Sequence, residues 1–239
     1  MHILRDNRKD EKYFEELIHR TENDIEIFES LIYQVIDERG KDDEGVKNGY
    51  NILINSYIAQ INLLYSAGRE LETIKEKLER FLKFYCEMWD MQYGYIELVR
   101  VLSLVVLFDI DVKFIKILED KINSEGLNDF LVDFLLKYVD GEWQNTSDEF
   151  VFKGIYDDLQ VVIESNINSV PELLRVYLEE KWYSNHSSSA WYDSHKSRND
   201  VYYGYWSYEA GAIAKIMHIN DVELKQVSYY PYDLVHYGE

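Results

Sequence analysis

An all-α fold, built as a bundle of antiparallel helical hairpins with an extended, aromatic-rich C-terminal tail, is what the sequence predicts, on three observations. Apolar side chains recur at three- and four-residue steps over most of the chain, the period of a helix with one buried face. Only 2 prolines and 11 glycines punctuate the 239 residues, too few for the many turns of a sandwich or barrel. Hydrophobic residues make up 46% and charged residues 29%, a globular balance with enough apolar material for a core that needs no disulfide or metal.

The elements follow in order. Phe14, Leu17, Ile18, Ile25, Phe28, Ile32 and Val35 form one face of a long helix whose other face is acidic, and it ends near Arg39 and Gly40. Lys41-Asp42-Asp43-Glu44-Gly45 is a polar loop. Leu53, Ile54, Tyr57, Ile58, Ile61, Leu64 and Tyr65 then repeat the pattern to Gly68, so the first two helices make a hairpin. A third helix turns Leu71, Ile74, Leu78, Phe81, Leu82 and Tyr85 inward and Glu72, Lys75, Glu76, Glu79 and Lys83 outward, with Glu79 one turn from Lys83. From Tyr95 to Phe108 apolar residues surround the helix, which predicts the most buried element. Asp111 is placed to cap a short helix through Leu118 that Gly126 closes, and Phe130, Leu131, Phe134, Leu135 and Tyr138 mark another before Gly141. The chain is expected to divide near residue 125 into two packed parts, 1–125 and 126–239.

Beyond Tyr138 the character changes. Asp140 to Glu164 holds Asp140, Glu142, Asp148, Glu149, Asp157, Asp158 and Glu164 against one base, Lys153, with no strong apolar period before Ile155. Ser169-Val170-Pro171-Glu172 reads as a capping box with proline in the first turn, starting a helix through Leu174, Tyr177 and Leu178 to Trp182. Asn185 to Ser189 is a serine-rich loop, Trp191 to Asn199 is irregular, and a last helix spans about Tyr205 to Met217. The tail Tyr229-Tyr230-Pro231-Tyr232-Asp233-Leu234 is expected to be extended, because proline restricts itself and the residue before it. The rings concentrated after residue 180 suit either a local core pinned by hydroxyl hydrogen bonds or a partner-binding surface.

Composition narrows the function classes. A net charge of −20 repels nucleic acid phosphates and anionic lipid, so neither DNA nor a membrane is an expected partner, whereas a basic protein is attracted. The lone Cys86 lies in an apolar helical pattern and reads as a buried thiol of a reducing compartment. Met1 to Lys12 is charged and offers no signal peptide, and the longest apolar stretch, Val99 to Phe108, is about half of a ~20-residue membrane span. A cytoplasmic protein is expected.

Chemistry-bearing motifs are missing: there is no glycine-rich phosphate loop, zinc spacing, nucleophile elbow or His-Glu-x-x-His pair. His186, Asp193, His195 and Ser197 lie close in sequence, but most of that set falls in an irregular stretch without helix-fixed geometry. Glu15 and His19 share a helix face once only, where a di-iron bundle needs such carboxylate and histidine sets in pairs. The expectation is a binding protein, not an enzyme, with no cofactor and no metal. A helical scaffold with a basic protein partner is compatible with the charge, and a homodimer is left open.

One stretch is more specific. Tyr203-Gly204-Tyr205-Trp206-Ser207-Tyr208-Glu209-Ala210, continuing through Ala212, Ala214, Lys215, Asp221 and Leu224 to Tyr229-Tyr230-Pro231-Tyr232-Asp233-Leu234, resembles the signature of the PoNi-like bacterial immunity proteins. Trp182, Trp191-Tyr192 and His195-Lys196 precede it at fitting spacings. The resemblance covers about residues 130 to 236, and the helices before it resemble the N-terminal region commonly joined to that domain. It implies an all-helical protein kept in the cytosol of a toxin-producing bacterium, where it binds the nuclease made beside it, typically a DNase delivered to competitors by a secretion system. A motif common to immunity proteins for different toxins is expected to hold the fold. That assigns Trp182, Trp191, Gly204, Tyr205, Trp206, Glu209, Tyr230, Pro231 and Asp233 a structural part, with Glu209 or Asp233 accepting hydrogen bonds from Tyr and Trp. Trp206 and Glu209, one turn apart, are expected to share a helix face. Toxin contacts are then expected in the acid-rich segment, at Asp140, Glu142, Asp148, Glu149, Asp157, Asp158 and Glu164 with help from Trp143 and Phe150, although charge runs usually just face water.

Overall fold

Asp10 accepts the backbone N–H of Tyr13 at 2.8 Å and opens α1 (Glu11–Arg39) in the computed structural model, which describes residues 3–91 and 94–238. Met1 and His2, at the head of the charged N-terminal stretch, lie outside that range. Gly40, at φ +88°, ends α1, and Asp43 caps α2 (Glu44–Ser66) by accepting the Gly45 N–H. α3 (Leu71–Met88) follows. The fold is all-α: among the described residues there is no strand, and no helix is long and apolar enough to cross a membrane.

The chain forms two compact units. The first comprises Met1–Trp89 and Asp193–Tyr205. In it α1 packs along α2 and α2 against α3, burying Phe14, Leu17, Ile25, Leu53, Tyr57, Ile74, Leu78 and Phe81. Buried Glu29 on α1 accepts the Tyr57 hydroxyl of α2 at 2.5 Å and the Arg80 Nε–H of α3 at 3.1 Å, so one carboxylate ties all three helices. Arg5 donates to the carbonyls of Tyr65 and Arg69 at 3.2 and 2.9 Å, placing positive charge where the last carbonyls of α2 lack helical partners.

The second unit comprises Asp90–Tyr192 and Trp206–Glu239. α4 (Tyr95–Leu107) is buried throughout from Val101 to Leu107 and packs against α6 (Phe130–Val139) and α10 (Tyr208–Ile216). α5 (Lys116–Ser124) follows a 3-10 turn that Asp111 caps, so α4 and α5, which precede residue 125, pack within this unit. α10 carries Ala210, Gly211, Ala212 and Ala214 into the core. A Cβ on Gly211 would meet Pro231 Cγ at 2.6 Å, so the small side chain is what lets the tail close on the helix.

Three expectations need correction. Ser169 makes no side-chain cap: Asn166 accepts the Asn168 N–H and starts a 3-10 turn, Ile167–Ser169, that runs straight into α8 (Val170–Val176), leaving Ser169 already helical. Past α8 the helix widens into a π-helical stretch, Tyr177–Trp182, and closes as α9 (Tyr183–Asn185). α10 begins at Tyr208, so Trp206 precedes it and does not share a helix face with Glu209. The tail is not extended. Tyr229 takes φ +71°, the chain turns, and burial of Leu234 and Val235 winds Tyr232–Val235 into α11.

Candidate functional site

The acid-rich segment is anchored by two buried carboxylates of the α6 region. Asp129, the α6 N-cap, accepts the Leu131 and Val132 N–H groups with one oxygen and the Val151 N–H with the other, at 3.0, 3.0 and 2.9 Å. Phe130 N–H donates to the Glu149 carbonyl at 2.8 Å. Asp133, one turn on, accepts the Trp143 indole N–H at 2.9 Å. Burial pushes the carboxyls of Asp129 and Asp133 above the usual aspartate range, opposed by the hydrogen bonds each accepts.

These contacts sort the expected toxin-binding residues. Trp143 is buried on Asp133, and Phe150 is buried with its ring centroid 5.4 Å from that of Phe130, so neither offers its ring to a partner. Asp140 is also buried: it takes Lys116 Nζ at 2.6 Å and the Glu142 N–H at 3.0 Å, and the lysine holds its carboxyl below the usual range. Half-buried Asp157 accepts the Gly154 N–H at 2.6 Å and shapes the turn before α7 (Asp158–Glu164). Glu142, Asp148, Glu149, Asp158 and Glu164 are exposed.

Three exposed apolar positions lie among them that the sequence reading missed, Val151, Phe152 and Val161. Phe152 is 47% exposed, its inner edge resting on Tyr95 at a centroid distance of 5.3 Å, and Val161 is 62% exposed. Val161 stands between Asp158 and Glu164 at three-residue steps, on the outer face of α7. The helical period of α7, with Leu159 and Val162 inward, was the signal for Val161, whereas alternation from buried Phe150 would have turned Phe152 inward and could not find it.

The aromatic motif residues build interior. In the second unit Trp182 is buried, stacking on Trp191 at 5.5 Å and meeting Tyr229 at 4.7 Å, and Tyr183 stacks on Tyr229 at 5.7 Å. Buried Glu209 accepts the Ser207 hydroxyl at 2.6 Å and the Tyr177 hydroxyl at 3.2 Å. Tyr230 donates its hydroxyl to buried Asp221 at 2.6 Å, and Pro231 is buried at Gly211. Asp233 is exposed in the first turn of α11, and Trp206 is half-buried. Gly204, at φ +109°, and Tyr205 belong to the first unit, where the Tyr205 hydroxyl sits 2.9 Å from His195 Nδ1 and 3.2 Å from Ser194 Oγ.

The histidines considered for chemistry have internal partners. His186 is buried in the second unit with Nδ1 on the Trp182 carbonyl at 2.7 Å and Nε2 on the Tyr156 hydroxyl at 3.3 Å, and desolvation lowers its pKa. Asp193 pairs with Lys196 at 2.8 Å, and Ser197 Oγ accepts the Asn199 N–H. Among the described residues no three His, Cys, Asp or Glu side chains converge as metal ligands would.

Two family models match. One, described as PoNe immunity protein (PoNi), N-terminal, covers residues 5–119, and the other, PoNe immunity proteins (PoNi), C-terminal, covers 127–234. The chain belongs to the PoNi immunity protein family. The motif read from the sequence lies in the C-terminal one. Among solved structures, Protein PA2201 from Pseudomonas aeruginosa shares the fold of this PoNi chain at a TM-score of 0.63 and 14% identity over 98% of both chains. No curated protein matches it.

Proposed function

We propose that this PoNi chain is the cytoplasmic antidote to a cognate PoNe toxin, a DNase, which it binds and silences without catalysis of its own. Family membership across both halves of the chain is the observation that carries the reading. Charge supports it: a cleft that captures DNA is basic, and a chain of net charge −20 is drawn to it.

The contact surface in this reading is the exposed side of the acid-rich segment, Asp148, Glu149, Asp158 and Glu164 around Phe152 and Val161. Exposed acids steer the encounter, and the apolar side chains supply the area that charge alone does not. Asp129 and Asp133 hold the segment in place beforehand, so little order is lost on binding.

The test is titration of the purified full chain against the toxin encoded beside it, read by calorimetry and by DNA cleavage. Stoichiometric binding that abolishes cleavage supports immunity, and a chain that neither binds nor silences that toxin ends it in favour of an acidic scaffold for another basic partner. Replacing Asp148, Glu149, Asp158 and Glu164 together by Ser is expected to weaken binding at least ten-fold. Unchanged affinity with retained protection removes this segment from the interface while leaving the toxin reading intact.

A further inference from the structure

We propose that the outer face of α1 is a self-association surface, on which a second copy of this chain docks antiparallel about a twofold axis. α1 turns Phe14, Leu17, Ile25 and Ile32 inward. On the opposite face Ile27 and Leu31, one turn apart, are 45% and 46% exposed. Of their neighbours on that face, Asn23, Ser30 and Gln34 carry no charge, and Asp24, one turn before Ile27, is half-buried. In a chain of net charge −20, a stretch of helix with a single half-buried acid is where a like-charged copy meets little repulsion, since exposed charges beyond about 8 Å are screened.

The charges that bracket this stretch set its partner. Arg20 lies seven positions before Ile27, and Glu38 seven positions after Leu31. Seven residues rise about 10.5 Å and complete nearly two turns, so all four side chains share one ridge, with opposite charges at equal distance from the apolar pair. A twofold axis midway between Ile27 and Leu31 sets Ile27 on the partner's Leu31. It also sets Arg20 on the partner's Glu38, at both ends of the contact, as an isologous interface requires. A parallel arrangement would oppose Arg20 to the partner's Arg20 and Glu38 to the partner's Glu38, so the charge order selects the antiparallel one. Arg20 gives one N–H to the Asp200 carbonyl at 2.5 Å, and a guanidinium has further donors for a carboxylate. The inference stands apart from the toxin reading, whose candidate surface belongs to the other unit.

Sedimentation of the full chain over protein concentrations from about 1 µM to about 1 mM tests it, because a single helix pair is a small interface and its dimer is expected to form at roughly tens of micromolar. Leu31→Asp is expected to leave a monomer throughout. Arg20→Glu and Glu38→Arg are each expected to weaken dimerisation roughly ten-fold, since the twofold breaks the pair at both ends. Arg20→Glu combined with Glu38→Arg is expected to restore it, and an unchanged helical circular dichroism signal shows that the variants fold. A wild type that stays monomeric to the top of the range overturns the proposal, as does a dimer indifferent to these substitutions or a double variant no tighter than either single one.

Discussion

Trp143 donates its indole N–H to Asp133 at 2.9 Å, and both side chains are buried. The bond ties the loop after α6 back onto the helix it has just left, and with the Val151 N–H on Asp129 it fixes the acid-rich segment at two points. Removing the carboxylate strands a buried donor, so Asp133→Ala is expected to cost about 1–3 kcal/mol, whereas Asp133→Asn keeps an acceptor and stays within about 1 kcal/mol of wild type. Urea unfolding at neutral pH reads both values, and equal losses in the two variants would refute the assignment of the bond.

The same carboxyl gives a pH dependence with a definite sign. Burial raises the Asp133 pKa above its unfolded value, so the folded state holds that proton more tightly. Its contribution to stability is therefore full below the ordinary aspartate pKa and is lost as pH rises through the raised folded value. Asp133→Asn has no such proton. Wild type is expected to gain on the variant as pH is lowered from 7 into the carboxylate range, and parallel stability curves for the two proteins would contradict this.

Glu209 is the acceptor shared by Ser207 and Tyr177, and all three side chains are buried. Glu209→Ala leaves two hydroxyls with no acceptor and is expected to cost about 2–4 kcal/mol, while Tyr177→Phe, which removes one donor, costs about 1 kcal/mol. At roughly 2–4 °C per kcal/mol for a chain of this size, calorimetric melting separates the two. A Glu209→Ala protein that melts with wild type would place Glu209 outside the framework.

Gly211 and Pro231 approach as closely as a missing Cβ allows. Gly211→Ala gains helix propensity in α10 but forces a 2.6 Å contact, and overpacking of about 1–3 kcal/mol is expected to outweigh a gain of at most about 1. Gly211→Ala combined with Pro231→Ala, which frees the space, is expected to recover part of the loss. A melting point raised by Gly211→Ala alone would refute the tight packing.

The long helices were legible because each carries many apolar residues in one period: α1 to α4 and α6 lie where Phe14, Leu53, Leu78, Val105 and Leu131 indicate. Local motifs were less so, since a capping box at Ser169 is a statement about one turn, and a competing Asn166 one turn earlier was enough to displace it. The tail shows the same limit. Pro231 constrains its own φ, but burial of Leu234 and Val235, a tertiary term absent from a six-residue window, decides that the chain winds up. In the acid-rich segment the charge run was plain, whereas single rings such as Trp143 and Phe150 have no periodic neighbours to say which way they face.

That difference in facing separates the roles of neighbouring aromatic residues. Phe150→Ala empties a buried site against Phe130 and is expected to cost about 3–5 kcal/mol of stability. Phe152→Ser and Val161→Ser alter exposed positions and are expected to stay within about 1 kcal/mol of wild type in stability, yet to weaken toxin binding at least ten-fold by speeding dissociation. Raising salt should act on the other half of the contact, slowing association through the exposed acids while leaving dissociation nearly unchanged. Surface plasmon resonance of the folded variants at two salt concentrations reads both rates. If Phe152→Ser and Val161→Ser bind as wild type does while the salt effect persists, the acids steer the toxin to a landing site elsewhere on the chain.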